Sequence, residues 1–135
     1  MGDARELRLV LTVDDFDAAL ATYRDALGLA QLEDYTAPTG RAVVLDAGRA
    51  TIELADADHA AYVDGLEVGR RVAPRVRLAF EVADVAGRTD ALVALGATLV
   101  AAPTPTPWET SNARLDASDG IQLTLWGPLP AGSSD

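Results

Sequence analysis

No cysteine and no lysine occurs anywhere in this chain, and histidine and methionine occur once each. The missing cysteines exclude disulfides, thiolate nucleophiles and sulfur-based zinc sites. A single histidine, His59, beside one acid falls short of a metal-ligand set. No apolar run approaches the roughly 18 residues that a membrane helix needs. The start of the chain is not basic-then-apolar, so no secretory signal is read and a cytoplasmic protein is expected. Positive charge is also scarce: 11 basic residues face 21 acidic ones, a net charge of −10. A surface this acidic repels nucleic acid and anionic membranes. It favours solubility, and it helps a cationic small molecule approach. What the chain has in quantity is apolar residues, 49% of 135, enough for one packed domain or two tightly joined half-domains.

The chain repeats itself. Residues 7–15 read LRLVLTVDD and residues 76–84 read VRLAFEVAD, with Arg8 and Arg77 at the same place in the two copies. Each copy is an alternating strand with an Asp after its last Val, and a helical pattern closed by Leu27-Gly28 or Leu95-Gly96 follows. A repeat of this length makes the architecture one small module used twice.

In the first copy Leu7, Leu9, Leu11 and Val13 form one face of a strand, with Arg8, Val10 and Thr12 on the other. Asp14 or Asp15 caps a helix in which Phe16, Leu20, Tyr23 and Leu27 recur at helical spacing, with Tyr23 read as core. Strands are expected at 32–35, 41–46 and 51–54, with Ile52 and Leu54 toward the helix and Thr51 and Glu53 away from it. Residues 56–74 read as a linker with a helical turn around 62–68 and His59 on the surface. The second copy places Val76, Leu78, Phe80 and Val82 under its helix, with Arg77, Ala79 and Glu81 opposite. Its helix is expected from Val85 to Leu95, with Val85, Leu92 and Leu95 inward. Pro103, Pro105, Pro107 and Trp108 read as a rigid loop. A strand around 112–115, a turn at Ser118-Asp119-Gly120 and a last strand at 121–125 complete the module.

Each module is therefore β-α-β-β-β. Module one spans 6–55, the linker 56–74 and module two 75–127. Together they make a single domain over 1–127, with 128–135 a disordered tail. Two four-stranded sheets, each covered by a helix on one face, would leave polar faces free to meet. Those faces carry Arg8, Thr12, Glu53, Arg77, Glu81, Gln122 and Thr124. A polar row between sheets must be solvated, mutually paired or paired with a ligand, because an uncompensated buried charge is costly.

Several segments carry a resemblance. They are Val13-Asp14-Asp15 leading into Phe16 and Tyr23-Arg24-Asp25-Ala26-Leu27-Gly28-Leu29, the closing Asp119-Gly120-Ile121-Gln122-Leu123-Thr124-Leu125, and Thr106-Pro107-Trp108 followed by Arg114 and Asp116. In order and spacing, over residues 6–127, they resemble the vicinal oxygen chelate superfamily of glyoxalases, extradiol dioxygenases, fosfomycin-resistance transferases and bleomycin-resistance proteins. The resemblance implies an α+β fold, two tandem βαβββ modules forming a curved mixed sheet around a cavity. It also implies four positions at which the enzymes of the superfamily hold a divalent metal, and these fall on Arg8, Glu53, Arg77 and Thr124. Only Glu53 is a strong ligand type. A guanidinium has no lone pair to give and stays charged, so no metal and no cofactor is expected.

The arginines have two compatible readings: pairing with Glu53 and Glu81 across the cavity, or clamping an anionic group of a ligand. Trp108 and Trp126 are candidate stacking surfaces, and Asn112, Gln122 and Thr124 candidate polar contacts. With Arg8, Thr12, Glu53, Arg77 and Glu81 they make up the expected ligand site. The leading reading is a metal-free, bleomycin-resistance-like binder of a small organic molecule, held between the modules or at a homodimer interface. A homodimer is expected because half-covered sheets leave apolar surface to bury. The competing reading is a metal-independent isomerase, lyase or dioxygenase-like enzyme with Glu53 or Glu81 as a base, and no nucleophile–base pair is legible.

Overall fold

The computed structural model of the chain describes residues 2–117 and 120–131. The Ser118-Asp119 part of the expected turn and the 132–135 end of the expected tail lie outside them. Module one runs β1 (Glu6–Thr12), α1 (Phe16–Leu20, continued by a π-helical segment Ala21–Ala26), β2 (Gln31–Asp34), β3 (Ala42–Asp46) and β4 (Thr51–Ala55). Helix α2 (Ala57–Glu67) links it to β5 (Val76–Glu81), α3 (Val85–Ala94), β6 (Thr98–Pro105), β7 (Thr110–Asp116) and β8 (Gln122–Pro128). The fold is α+β, with the module order read from the repeat.

The modules do not meet as two separate sheets. They join edge to edge in one eight-stranded mixed sheet, ordered β2-β3-β4-β1-β5-β8-β7-β6. The seam is the antiparallel pair β1–β5, with Arg8 opposite Ala79 and Val10 opposite Arg77. Strand β1 is parallel to β4, and β5 parallel to β8, the same relation in each copy. Joining the modules this way pairs the seam edges of β1 and β5 and leaves only β2 and β6 unpaired on one side.

Each helix-facing side forms its own core. In module one Phe16, Ala19 and Leu20 pack on Val43, Leu45 and Leu54, with Leu11, Val13 and Ile52 against them. In module two Val85 packs on Val82, Ala113, Leu115 and Leu125, with Phe80 and Leu92 adjoining. Each buried Val, Leu or Phe side chain among them contributes about 1.5–3 kcal/mol of transfer free energy. Asp15 caps α1 and Asp84 caps α3, each carboxylate accepting from a first-turn N–H. Tyr23 packs at the margin of the first core.

Four expectations are corrected. Leu95 does not face inward but is 80% exposed, because α3 ends at Ala94 and the chain leaves the helix there. Pro103 and Pro105 lie in β6 rather than in a loop. As an edge strand paired only with β7 and interrupted by register shifts, β6 tolerates their missing N–H groups. The last strand runs on to Pro128, so the start of the expected tail is strand.

The largest correction is the linker. It carries an eleven-residue helix, not one turn. His59, Ala60, Val63, Asp64 and Glu67 are its buried face, at helical spacing. Three of those five are polar, which is why hydrophobic periodicity does not reveal the helix. Asp56 caps it by accepting from the His59 N–H at 2.8 Å. Gly40, in a left-handed conformation at φ 135°, lets the β2–β3 turn approach closely, since a Cβ there would strike the His59 backbone nitrogen.

Candidate functional site

The concave face of the sheet, away from α1 and α3, holds a cavity of about 500 Å³. Strands β1, β4, β5 and β8 supply its floor. Helix α2, Tyr35 near the β2–β3 turn and the Trp108 loop supply walls. Strand alternation puts Arg8, Glu53, Arg77 and Thr124 on this face, and the sheet register brings them together. Glu81, Trp108, Asn112 and Trp126 line the same cavity. Thr12 and Gln122 do not. Thr12 ends β1 beyond the cavity, its N–H donating to the Arg75 carbonyl at 2.8 Å. Gln122 is turned into a buried network, where its oxygen accepts from Arg114 at 3.0 Å.

The two arginines differ sharply in how fully they are satisfied. Arg8 donates to Glu6 at 3.0 and 3.2 Å, to Thr51 at 3.1 Å and to Glu53 at 3.5 Å. Its guanidinium carbon also stands 4.8 Å from the centre of a Trp126 ring. Arg77 makes one hydrogen bond among the described residues, to the Thr124 hydroxyl at 2.6 Å. It is buried, and burial is the main cause that lowers its pKa, followed by the repulsion of Arg114; Glu53, Glu67 and Asp64 act in the opposite sense. The expected pairing of the two arginines with Glu53 and Glu81 across the modules therefore does not form among the described residues. Arg8 pairs with Glu53 inside module one, whereas Arg77 is held by Thr124 and Glu81 makes no side-chain hydrogen bond or ion pair among the described residues.

Behind one wall lies a network that the repeat does not disclose. Arg114, fully buried on β7, donates to Asp64 at 2.9 Å and to Glu67 at 2.7 Å, both on α2. Glu67 also accepts from the Asn112 amide at 2.7 Å, so Asn112 is committed to the protein rather than free to orient a ligand. Burial works against ionisation of Asp64, but the Ala73 and Val72 N–H groups and the Arg114 guanidinium outweigh it and hold its pKa low. The network docks α2 onto module two and so fixes the wall that carries His59, Tyr62 and Glu67.

His59 corrects the surface assignment. It is buried, lines the cavity and stands with Nε2 4.0 Å from the Glu53 carboxylate. Its Nδ1 has no hydrogen-bond partner. Burial lowers its pKa and the Arg77 cation adds to this, against the pull of Glu53 and Asp56, so the imidazole is neutral at neutral pH. Tyr35 at the cavity edge donates to Glu33, and burial with that carboxylate raises its pKa to about 12. Besides the helical turn read around 62–68, a cap-ready Asp56 three residues before His59 is a sequence signal for this wall.

The donor set at the four superfamily metal positions does not suit a metal. Arg8 and Thr51 occupy Glu6, Arg8 also takes Glu53, and Arg77 occupies the Thr124 hydroxyl. Two guanidiniums there would repel a divalent cation at short range, and neither can ligate it. Among the described residues no group of three or more His, Asp or Glu side chains is arranged to hold a metal ion. No helix among them is long and apolar enough to cross a membrane.

A family model described as the Glyoxalase/Bleomycin resistance protein/Dioxygenase superfamily matches residues 7–125. No curated protein matches the chain in sequence. Solved structures share the fold. A methylmalonyl-CoA epimerase variant from Streptomyces coelicolor, in complex with 2-nitronate-propionyl-CoA, superposes with a TM-score of 0.66 at 18% identity, over 96% of this chain and 100% of that one. The epimerase from Mycobacterium tuberculosis gives a TM-score of 0.61 at 19% identity, covering 95% and 89% of the two chains. A hypothetical protein from Bacillus halodurans C-125 gives 0.66 at 16% identity, covering 94% and 96%. At these identities the likeness is one of fold.

Proposed function

The chain belongs to the Glyoxalase/Bleomycin resistance protein/Dioxygenase superfamily, and on that premise we propose that it binds a small organic molecule without a metal. One observation carries the reading: the cavity of about 500 Å³ ends on a buried arginine, Arg77, with a single hydrogen bond. A guanidinium has five N–H donors, and those that Arg77 does not spend on Thr124 are open to a group held in the cavity. A carboxylate or phosphate group of a ligand is the partner whose geometry fits them. Arg8, by contrast, is consumed by Glu6, Thr51 and Glu53, so the clamp expected from the repeat reduces to one arginine. The volume and the aromatic wall of Trp108 and Trp126 suit a planar or amphipathic frame rather than a bare ion.

The test is a fluorescence titration with a panel of aromatic acids. Saturable quenching of tryptophan emission is expected, weakened by Trp108→Phe and lost in Arg77→Met. Binding unaffected by Arg77→Met would refute the assignment. A metal-independent isomerase or lyase-like activity has one observation in its favour, the neutral His59 imidazole 4.0 Å from Glu53 inside the cavity. Recovery of a chemically changed ligand after incubation would establish it, and recovery of the ligand unaltered would exclude it for that compound.

A further inference from the structure

The cavity has a second pole, and it is acidic. Its lining includes the carboxylates of Glu6, Glu33, Glu53, Glu67 and Glu81 against the guanidiniums of Arg8 and Arg77. Glu67 is neutralised from behind by Arg114. Arg8 is one cation shared between two anions, Glu6 and Glu53. Glu81 is left without a counter-charge. It sits directly across the seam from Glu6 in the β1–β5 register, and next to Trp126 in the β5–β8 register. Like charges on directly opposed strand residues repel, so this row is unfavourable as it stands.

His59 forms part of the wall of this cavity. Its side chain is 8% exposed, it lines the same cavity, and its Nδ1 makes no hydrogen bond. Held neutral by burial, the imidazole adds no positive charge to repel a cation. The Arg8 guanidinium over Trp126 shows that this indole face accommodates positive charge, and Trp108 stands 39% exposed at the rim.

Resting on the reading of the cavity as a small-molecule site, we propose that its ligand is amphoteric. An anionic group meets Arg77 at depth, and a protonated primary or secondary amine meets Glu81. The amine supplies the counter-charge that Glu81 lacks. The acidic exterior, at a net charge of −10, favours the approach of the same end of the ligand.

Three matched probes test this by calorimetric titration of the full chain: 4-methylbenzoate, 4-methylbenzylamine and 4-(aminomethyl)benzoate. The third carries both charges and should bind more tightly than either of the others. Glu81→Gln removes the unpaired carboxylate and relieves its repulsion with Glu6, so this variant folds. It should weaken the two amine probes about fivefold, the scale of a partly exposed ion pair, and leave 4-methylbenzoate unchanged or improved. Arg77→Met should show the reverse pattern. If 4-methylbenzoate binds but the added amine brings no gain, or Glu81→Gln leaves the amine probes unaffected, the acidic pole is not a ligand site and the small-molecule reading stands. If none of the three binds the wild-type chain at millimolar concentration, both fall.

Discussion

Replacing Arg114 by methionine should destabilise the protein through one residue more than any other, Glu67. Arg114 is fully buried between two carboxylates that are themselves 1% and 2% exposed. Breaking a buried pair by removing one partner typically costs about 3–5 kcal/mol, because the other charge is left uncompensated. The structure moves the expectation to the lower end. Asp64 keeps Arg71 at 3.1 Å and two backbone N–H groups at 2.8 Å. Glu67 keeps only the Asn112 amide. The loss of Arg114 also relieves Arg77 of a like charge and removes a buried Nε that has no partner. The net cost should be about 3 kcal/mol, a large part of the roughly 5–15 kcal/mol that stabilises a domain. With a urea dependence near 2 kcal/mol per molar, the unfolding midpoint should fall by about 1.5 M. Adding Glu67→Gln to the variant removes the stranded charge and should restore about 1–2 kcal/mol. A midpoint within about 0.5 M of wild type for Arg114→Met, or no recovery in the double variant, would refute the account of the network.

Two further outcomes are expected. Burial holds the His59 pKa below the ordinary 6.5, so the unfolded chain takes up a proton that the folded chain refuses. The corresponding stability is fully present above pH 6.5 and is lost as pH falls below it; urea midpoints between pH 7 and 5 should fall less steeply for His59→Gln than for wild type, and equal slopes would show that His59 titrates normally. At Glu109 the backbone adopts a left-handed conformation, φ 64°, in the tight β6–β7 turn where Glu109 N donates to the Thr106 carbonyl. Relieving strain of about 1–2 kcal/mol, less the freedom a glycine adds to the unfolded chain, Glu109→Gly should stabilise by about 0.5–1 kcal/mol; a lower thermal midpoint would contradict the strain.

The sequence by itself determined the two-module order and the strand faces. These are local properties. Alternation with period two assigns Arg8, Glu53, Arg77 and Thr124 to one face of their strands, and a repeated strand–helix pattern assigns both modules the same fold. The cap of the first helix was legible, as Asp14 or Asp15, for the same reason, since a cap acts within three residues.

Only the tertiary structure decided how those faces are used. Whether β1 pairs with β5 is a long-range choice between edges, invisible to periodicity, and it sets one curved sheet instead of two facing ones. The same choice lays Glu6 beside Glu81 and leaves Glu81 without a counter-charge. Helix α2 hid in the linker because its buried face is mostly polar, and polar burial is favourable only when a distant partner such as Arg114 is present. His59, Gln122 and Thr12 were misassigned for one physical reason. The burial and bonding of a polar side chain depend on what the fold brings opposite it, and its neighbours in the chain do not specify that.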